Sequence, residues 1–339
     1  MASPRECWDA KAHPNPMNTT PMTRRNFVVG AVSAGTLLAA RSMSAKAPQP
    51  ATDAAFALPS GACDCHVHVF GDPAKYPMFP GRTYTPETAT TAELQAMHRR
   101  LKLERVVIVT PSVYGTDNSA TRDGIKEYGA GARGVAVINE QTPERELDEL
   151  ATAGFRGIRL NLSTGGTNDP KVARGRFESA MARMAKRGWH IQTFTNLAMI
   201  AALKDLLASS AVPIVIDHFG SARGELGLGQ PGFADLVALV KSGRAYVKIS
   251  GAYQSSDGAP DYADMTPLAR ALIAANEDRI LWGSNWPHPG GAGGRSIMEI
   301  TPYRTVDDGK MLNLLSKWVP DAALRKKILV ENPARLYGF

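Results

Sequence analysis

Three cysteines in 339 residues exclude a disulfide framework. Cys7 stands far from the others, and Cys63 and Cys65, two apart on one extended segment, cannot bridge without strain. Long apolar runs are also lacking. The stretch from Val28 to Ala40 falls short of the about 20 residues that a bilayer span requires, and no other segment resembles one. A net charge of +7 suggests nucleic acid until it is placed along the chain. The first 47 residues hold six basic side chains against two acidic ones, more than half of that surplus. No basic block or aromatic interleaving follows, which excludes a nucleic-acid surface. There is no internal repeat and no interdomain linker, and no G-x-G-x-x-G turn follows the first strand-like segment, as a dinucleotide fold would require. What is present is ordinary globular composition, 44% hydrophobic and 21% charged, enough for a sizeable core.

The N-terminal segment carries Thr23-Arg24-Arg25-Asn26-Phe27-Val28-Val29 ahead of its mildly apolar run, and Ala45-Lys46-Ala47 after it. This pattern resembles a twin-arginine export signal with an Ala-x-Ala cleavage site, although Pro48 is a poor neighbour for cleavage. The expectation is a leader over residues 1–47, a catalytic domain over 48–339, and a periplasmic location. A cytoplasmic enzyme with a chance N-terminal run is the alternative.

Beyond the leader, strand-like and helix-like segments alternate throughout. Strands are expected at 62–70, 105–110, 134–138, 157–162, 190–195, 213–219, 246–251 and 279–285. Helical periodicity falls between them, including 92–101, 171–187, 197–208 and 262–275, with a last helix at 309–318. Eight Val/Ile-rich strands interleaved with helices predict an α/β fold of one domain, a (β/α)8 TIM barrel. The Gly/Pro-rich stretches at 71–86, 220–232 and 286–304 all follow strands, where a barrel places its functional loops.

The organising stretch is Cys63-Asp64-Cys65-His66-Val67-His68-Val69-Phe70. A strand's period of two sends Asp64, His66 and His68 to one face and Cys63, Cys65 and Val67 to the other. Two imidazoles one strand step apart can grip one metal ion or one carbonyl oxygen. The cysteines are then expected to face outward and be buried as small apolar groups. Of seven histidines, His66, His68, His218 and His288 lie at or just past strand ends, where barrel enzymes place their reacting groups. Arg159 has the inward parity of its strand, where an arginine in a barrel mouth meets an anion. Lys248 either faces the interior as a base of lowered pKa or makes a buried structural contact. Asp217, opposite in parity to His218, is expected to face the helical layer.

His66-Val67-His68, Asp217-His218 and Trp282-Gly283-Ser284-Asn285-Trp286-Pro287-His288 together resemble the amidohydrolase superfamily, in the branch that holds 2-pyrone-4,6-dicarboxylate lactonase. The likeness spans roughly residues 60–339 and includes Gly115-Thr116-Asp117-Asn118, Arg156-Gly157-Ile158-Arg159 and Asn332-Pro333-Ala334-Arg335-Leu336-Tyr337. The resemblance implies that His66, His68 and His218 polarise a lactone carbonyl. It also implies that Tyr84, Ser112 and Arg159 hold substrate oxygens. The lactonase works without a metal, whereas metal-using relatives bind the ion at the same three histidines, for which Zn²⁺ is the expected metal here.

Two departures from the family pattern matter. The lactonase has a water-activating Asp where this chain has Asn285, and an amide cannot take a proton. Ser221 stands in the place of a substrate arginine, for which Arg223 is a candidate substitute. Fewer arginines argue for a less charged lactone than the pyrone dicarboxylate. 4-Sulfomuconolactone, or a related carboxylated muconolactone or pyrone from aromatic-compound catabolism, is the candidate. Tyr253 and His288 are further candidates for substrate contact, with His288 or His218 as the base. The expected protein is a monomeric or weakly associated lactone hydrolase. The rivals are a lactone isomerase resembling D-galactarolactone isomerase, and an exported, non-catalytic binding protein on a barrel scaffold.

Overall fold

The computed structural model describes residues 47–339, and the leader-like segment with its paired arginines lies outside the described residues. Eight parallel strands follow in chain order. They are β1 (Cys63–Val67), β2 (Arg105–Val109), β3 (Ala132–Ala136), β4 (Phe155–Asn161), β5 (His190–Phe194), β6 (Ile214–Ile216), β7 (Ala245–Lys248) and β8 (Ile280–Leu281). Each pairs with the next in sequence order. The ring closes through backbone hydrogen bonds between the two ends of the sheet. Cys65 N donates to Trp282 O at 3.0 Å, Asn285 N to His66 O at 2.8 Å, and His68 N to Trp286 O at 2.8 Å. The fold is a (β/α)8 barrel, as expected. Gly283 permits the closure, because a Cβ there would lie 2.8 Å from His66 Cβ.

The helices sit outside this ring on apolar faces of helical period. Helix Thr91–Leu101 buries Leu94, Met97, His98 and Leu101. It starts at a capping box, in which Thr90 accepts from Glu93 N while the Glu93 carboxylate accepts from Thr90 N. The helix expected over 197–208 is two helices, Leu197–Ala202 and Lys204–Ser209, meeting at Leu203. Among the described residues no helix is long and apolar enough to cross a membrane.

β1 departs from the expected alternation. Its register against β2 shifts between Asp64 and Val67, so the strand carries a bulge there and strict alternation fails. Asp64 consequently faces the helical layer, near His98 of helix Thr91–Leu101, while His66 and His68 face the interior. Cys63 and Cys65 are buried, but inside the barrel rather than outside it. They pack with Val107, Val109, Val135, Val215 and Tyr337, which close its lower end.

At the upper end, Thr85–Pro86 pairs with Ile300–Thr301, tying the loop after β1 to the loop after β8. The stretch leading into β1 is also fastened there, since Trp286 Nε1 donates to Pro48 O at 2.8 Å.

Candidate active site

At the C-terminal ends of the strands lies a cavity of about 450 Å³. His68, Tyr84, Ser112, Arg159, His218 and Asn285 line it, with Arg223 and Arg304 also on its wall. Beneath it the interior is charged and closed to solvent. Asp217 lies at the centre, within 3.0 Å of Arg159 Nε and Nη2, 3.1 Å of Gln192 Nε2 and 3.6 Å of Lys248 Nζ. Lys248 Nζ also donates to Gln192 Oε1 at 2.6 Å and lies 3.2 Å from His66 Nδ1. Asp217 thus faces the barrel interior, against its expected parity. It follows the last residue of β6, and the chain turns at once into left-handed backbone at His218 (φ 50°) and Phe219 (φ 56°). That turn lets Asp217 and His218 both serve the inside, which strand alternation forbids.

The imidazoles converge. His66 and His68 bring their Nε2 atoms to 3.3 Å, and the rings of His66 and His218 are 4.6 Å apart between centroids. Burial dominates their protonation. It pulls His66 well below the usual histidine range against the pull of Asp217, takes His68 down to about 3, and takes His218 down to about 4. All three are neutral at physiological pH. His68 Nδ1 donates to Val109 O at 2.7 Å, so its Nε2 carries a lone pair facing His66 Nε2. His66 Nδ1 lies 3.2 Å from both Lys248 Nζ and Asp217 Oδ1, so it belongs to the buried charged cluster beneath the cavity. His218 Nδ1 is engaged by Ser250 Oγ at 2.8 Å, which leaves its Nε2 for the cavity.

Burial lowers Lys248 to about 8 even with Asp217 beside it. Burial alone would push Asp217 up, but His66, Arg159 and Lys248 hold it well below the usual carboxylate range. One carboxylate between two cations leaves a positive surplus that suits an anionic ligand. Arg223 is half committed already, to Glu225 at 2.8 Å and Asp257 at 3.4 Å. Arg304 forms no ion pair with a carboxylate among the described residues.

The donor set that could hold a divalent ion differs from the expected one. His66, Asp217 and His218 bring one ligand atom each within 4.8 Å of one another, and His68 is not in that group. Neutral imidazoles with a carboxylate fit such an ion chemically.

Tyr253 and His288 do not line the cavity. Both are buried behind Asn285, whose Nδ2 donates to Tyr253 Oη at 2.8 Å, and His288 contacts Asp308 on its far side. Burial raises Asp308 above the ordinary carboxyl value, with His288 opposing. Sequence reasoning missed Gln192 and Arg304. Gln192 shares the inward parity of β5 with His190 and could have been found that way. Arg304 lies in an irregular loop, where no periodicity marks it.

The model of the amidohydrolase family matches residues 63–339. A 4-sulfomuconolactone hydrolase of Rhizobium radiobacter is 37% identical over 286 residues, 84% of this chain and 92% of that protein. A 2-pyrone-4,6-dicarboxylate hydrolase of Comamonas testosteroni is 33% identical over 292 residues, 83% of this chain and 92% of that protein. Among solved structures, a candidate 2-pyrone-4,6-dicarboxylic acid hydrolase from Pseudomonas putida aligns with a TM-score of 0.69 at 30% identity, covering 83% of this chain and 98% of that one. Strand-end histidines on a closed eight-stranded barrel, together with this match over nearly the whole described length, make the chain a member of the amidohydrolase family.

Proposed function

We propose that this protein is a hydrolase that opens an anionic lactone, with a muconolactone- or pyrone-type ring from aromatic-compound catabolism as substrate. The carrying observation is that His68, His218 and Arg159 line one cavity with more positive than negative charge, with His66 buried beneath it against His68 and His218. Arg159, with Tyr84 and Ser112 opposite, would hold the acid group and ring oxygens of the substrate. A single firmly placed arginine with hydroxyl donors suits 4-sulfomuconolactone or a related carboxylated lactone.

In the reaction, water attacks the lactone carbonyl carbon. His218 Nε2 takes the proton of that water, because His288 is committed on both nitrogens behind Asn285. The ring C–O bond then breaks, and the leaving oxygen recovers the proton from His218. Asn285 orients the water, since it cannot deprotonate it. Were a divalent ion held instead by His66, Asp217 and His218, Zn²⁺ by donor type, His218 would be a ligand rather than the base, and the ion would supply Lewis-acid polarisation of the carbonyl and a more acidic water. Turnover of a panel of muconolactones, pyrones and sugar lactones, before and after chelation, tests both points. Selective opening of the unsaturated anionic lactones is expected, and turnover of sugar lactones alone would overturn the substrate class. Export is inferred from Arg24 and Arg25, and replacing both with lysine is expected to leave the protein in the cytoplasm.

A further inference from the structure

The turn after β8 offers an amide to the cavity, and the buried groups behind it form one chain of hydrogen bonds. Asp308, at the start of helix Asp308–Trp318, faces His288 Nε2 through both carboxylate oxygens, at 3.1 and 3.2 Å. His288 Nδ1 lies 3.1 Å from Tyr253 Oη, which accepts from Asn285 Nδ2 at 2.8 Å. Each link constrains the next. Tyr253 Oη accepts from Asn285, so its own proton goes to His288 Nδ1, and the imidazole proton lies on Nε2 facing Asp308. The phenolic oxygen, its one proton committed, accepts from Asn285, which turns its NH₂ inward. The carbonyl oxygen of Asn285 is the atom left facing the cavity.

We infer that Asp308, His288 and Tyr253 are positioning residues that fix the Asn285 amide with Oδ1 toward the cavity, as the acceptor that aims the attacking water. The role of the water rests on the hydrolase reading, whereas the direction of the relay does not. The same chain explains why position 285 is an amide. A carboxylate there would meet the lone pairs of a tyrosine whose proton already points at His288. Asn285 (φ 63°) and His288 (φ 65°) both hold left-handed backbone, a conformation that the surrounding contacts must maintain. Arg304 N donating to His288 O at 3.0 Å is one such contact. All four residues of the relay are at most 8% exposed, so its links are shielded from bulk solvent.

The test is a cycle of Asn285→Asp, Asp308→Asn and the double variant, read by melting temperature and by turnover. Asn285→Asp alone is expected to lower the melting temperature and to reduce kcat by about tenfold or more, as an unpartnered buried acceptor should. In Asp308→Asn the new amide can donate to His288 Nε2. The imidazole proton then moves to Nδ1, and Tyr253 is released to donate toward residue 285. The double variant is therefore expected to recover much of both losses. Tyr253→Phe is expected to lower kcat while leaving KM nearly unchanged. Wild-type melting and turnover in Asn285→Asp would overturn the inference, as would simple addition of the two single losses in the double variant. The melting readout needs no substrate. Rescue of melting by a protein that opens no lactone would sink the hydrolase reading and leave the relay standing.

Discussion

The two ends of one barrel interior are built from opposite chemistry. Toward the N-terminal ends of the strands, Cys63, Cys65, Val107, Val135, Val215 and Tyr337 form a dry apolar plug. Toward the C-terminal ends, Asp217, Arg159, Lys248, Gln192 and three imidazoles are buried just as deeply, and all are polar. The plug leaves the cavity as the side from which ligand reaches the polar cluster. Burial without water is also what keeps the histidines neutral, so the apolar half sets the protonation state on which the polar half depends. The plug thus serves stability alone, whereas the polar layer serves both stability and reactivity, and variants should tell the two apart.

The largest expected effect comes from Asp217→Ala, which strands two buried cations. A loss of roughly 3–5 kcal/mol of folding stability is expected, read by denaturant unfolding. Tyr337→Ala, in the plug, should cost about 3–5 kcal/mol as a buried aromatic truncation, yet the folded fraction should keep its turnover. His218→Ala inverts that pattern, with kcat falling roughly 10²- to 10⁴-fold as for loss of a general base, and melting changed far less.

The pH dependence follows from the buried bases. His68, His218 and His190 sit at about 3, about 4 and about 3 in the folded chain, below the ordinary histidine value. The unfolded chain therefore binds more protons, and stability should be lost as pH falls from about 6.5 toward these values. Lys248, lowered to about 8, has the same sign at the alkaline end, where stability should rise with pH from about 8 toward its ordinary value. Denaturant melts over a pH series check both slopes, and a flat profile contradicts them. The smallest effect belongs to the rim. Arg223→Ala should raise KM only slightly because Glu225 and Asp257 already hold that side chain, whereas Arg304→Ala should raise it more.

Much of this was legible in the chain. The periodicity of the strands gives all eight in order, and the histidines at 66, 68 and 218 meet as their positions suggest. What alternation misplaces are residues beside local irregularities. The bulge between Asp64 and Val67 reverses the facing of Asp64 and the cysteines, and the left-handed turn at His218 brings that imidazole inward beside Asp217, which already shares the inward parity of Val215. Neither a bulge nor a positive φ on a non-glycine residue leaves a periodic signature. Tyr253 and His288 sit near the site but one layer back, a depth that sequence position does not encode.

The central claim is that water, held over the imidazole cluster, is added to the lactone. Incubation with substrate in heavy-oxygen water, followed by mass analysis of the product, tests it most directly. One labelled oxygen in the newly formed carboxylate is the predicted result. Product that forms without label, or a ligand bound tightly and returned unchanged, would contradict it.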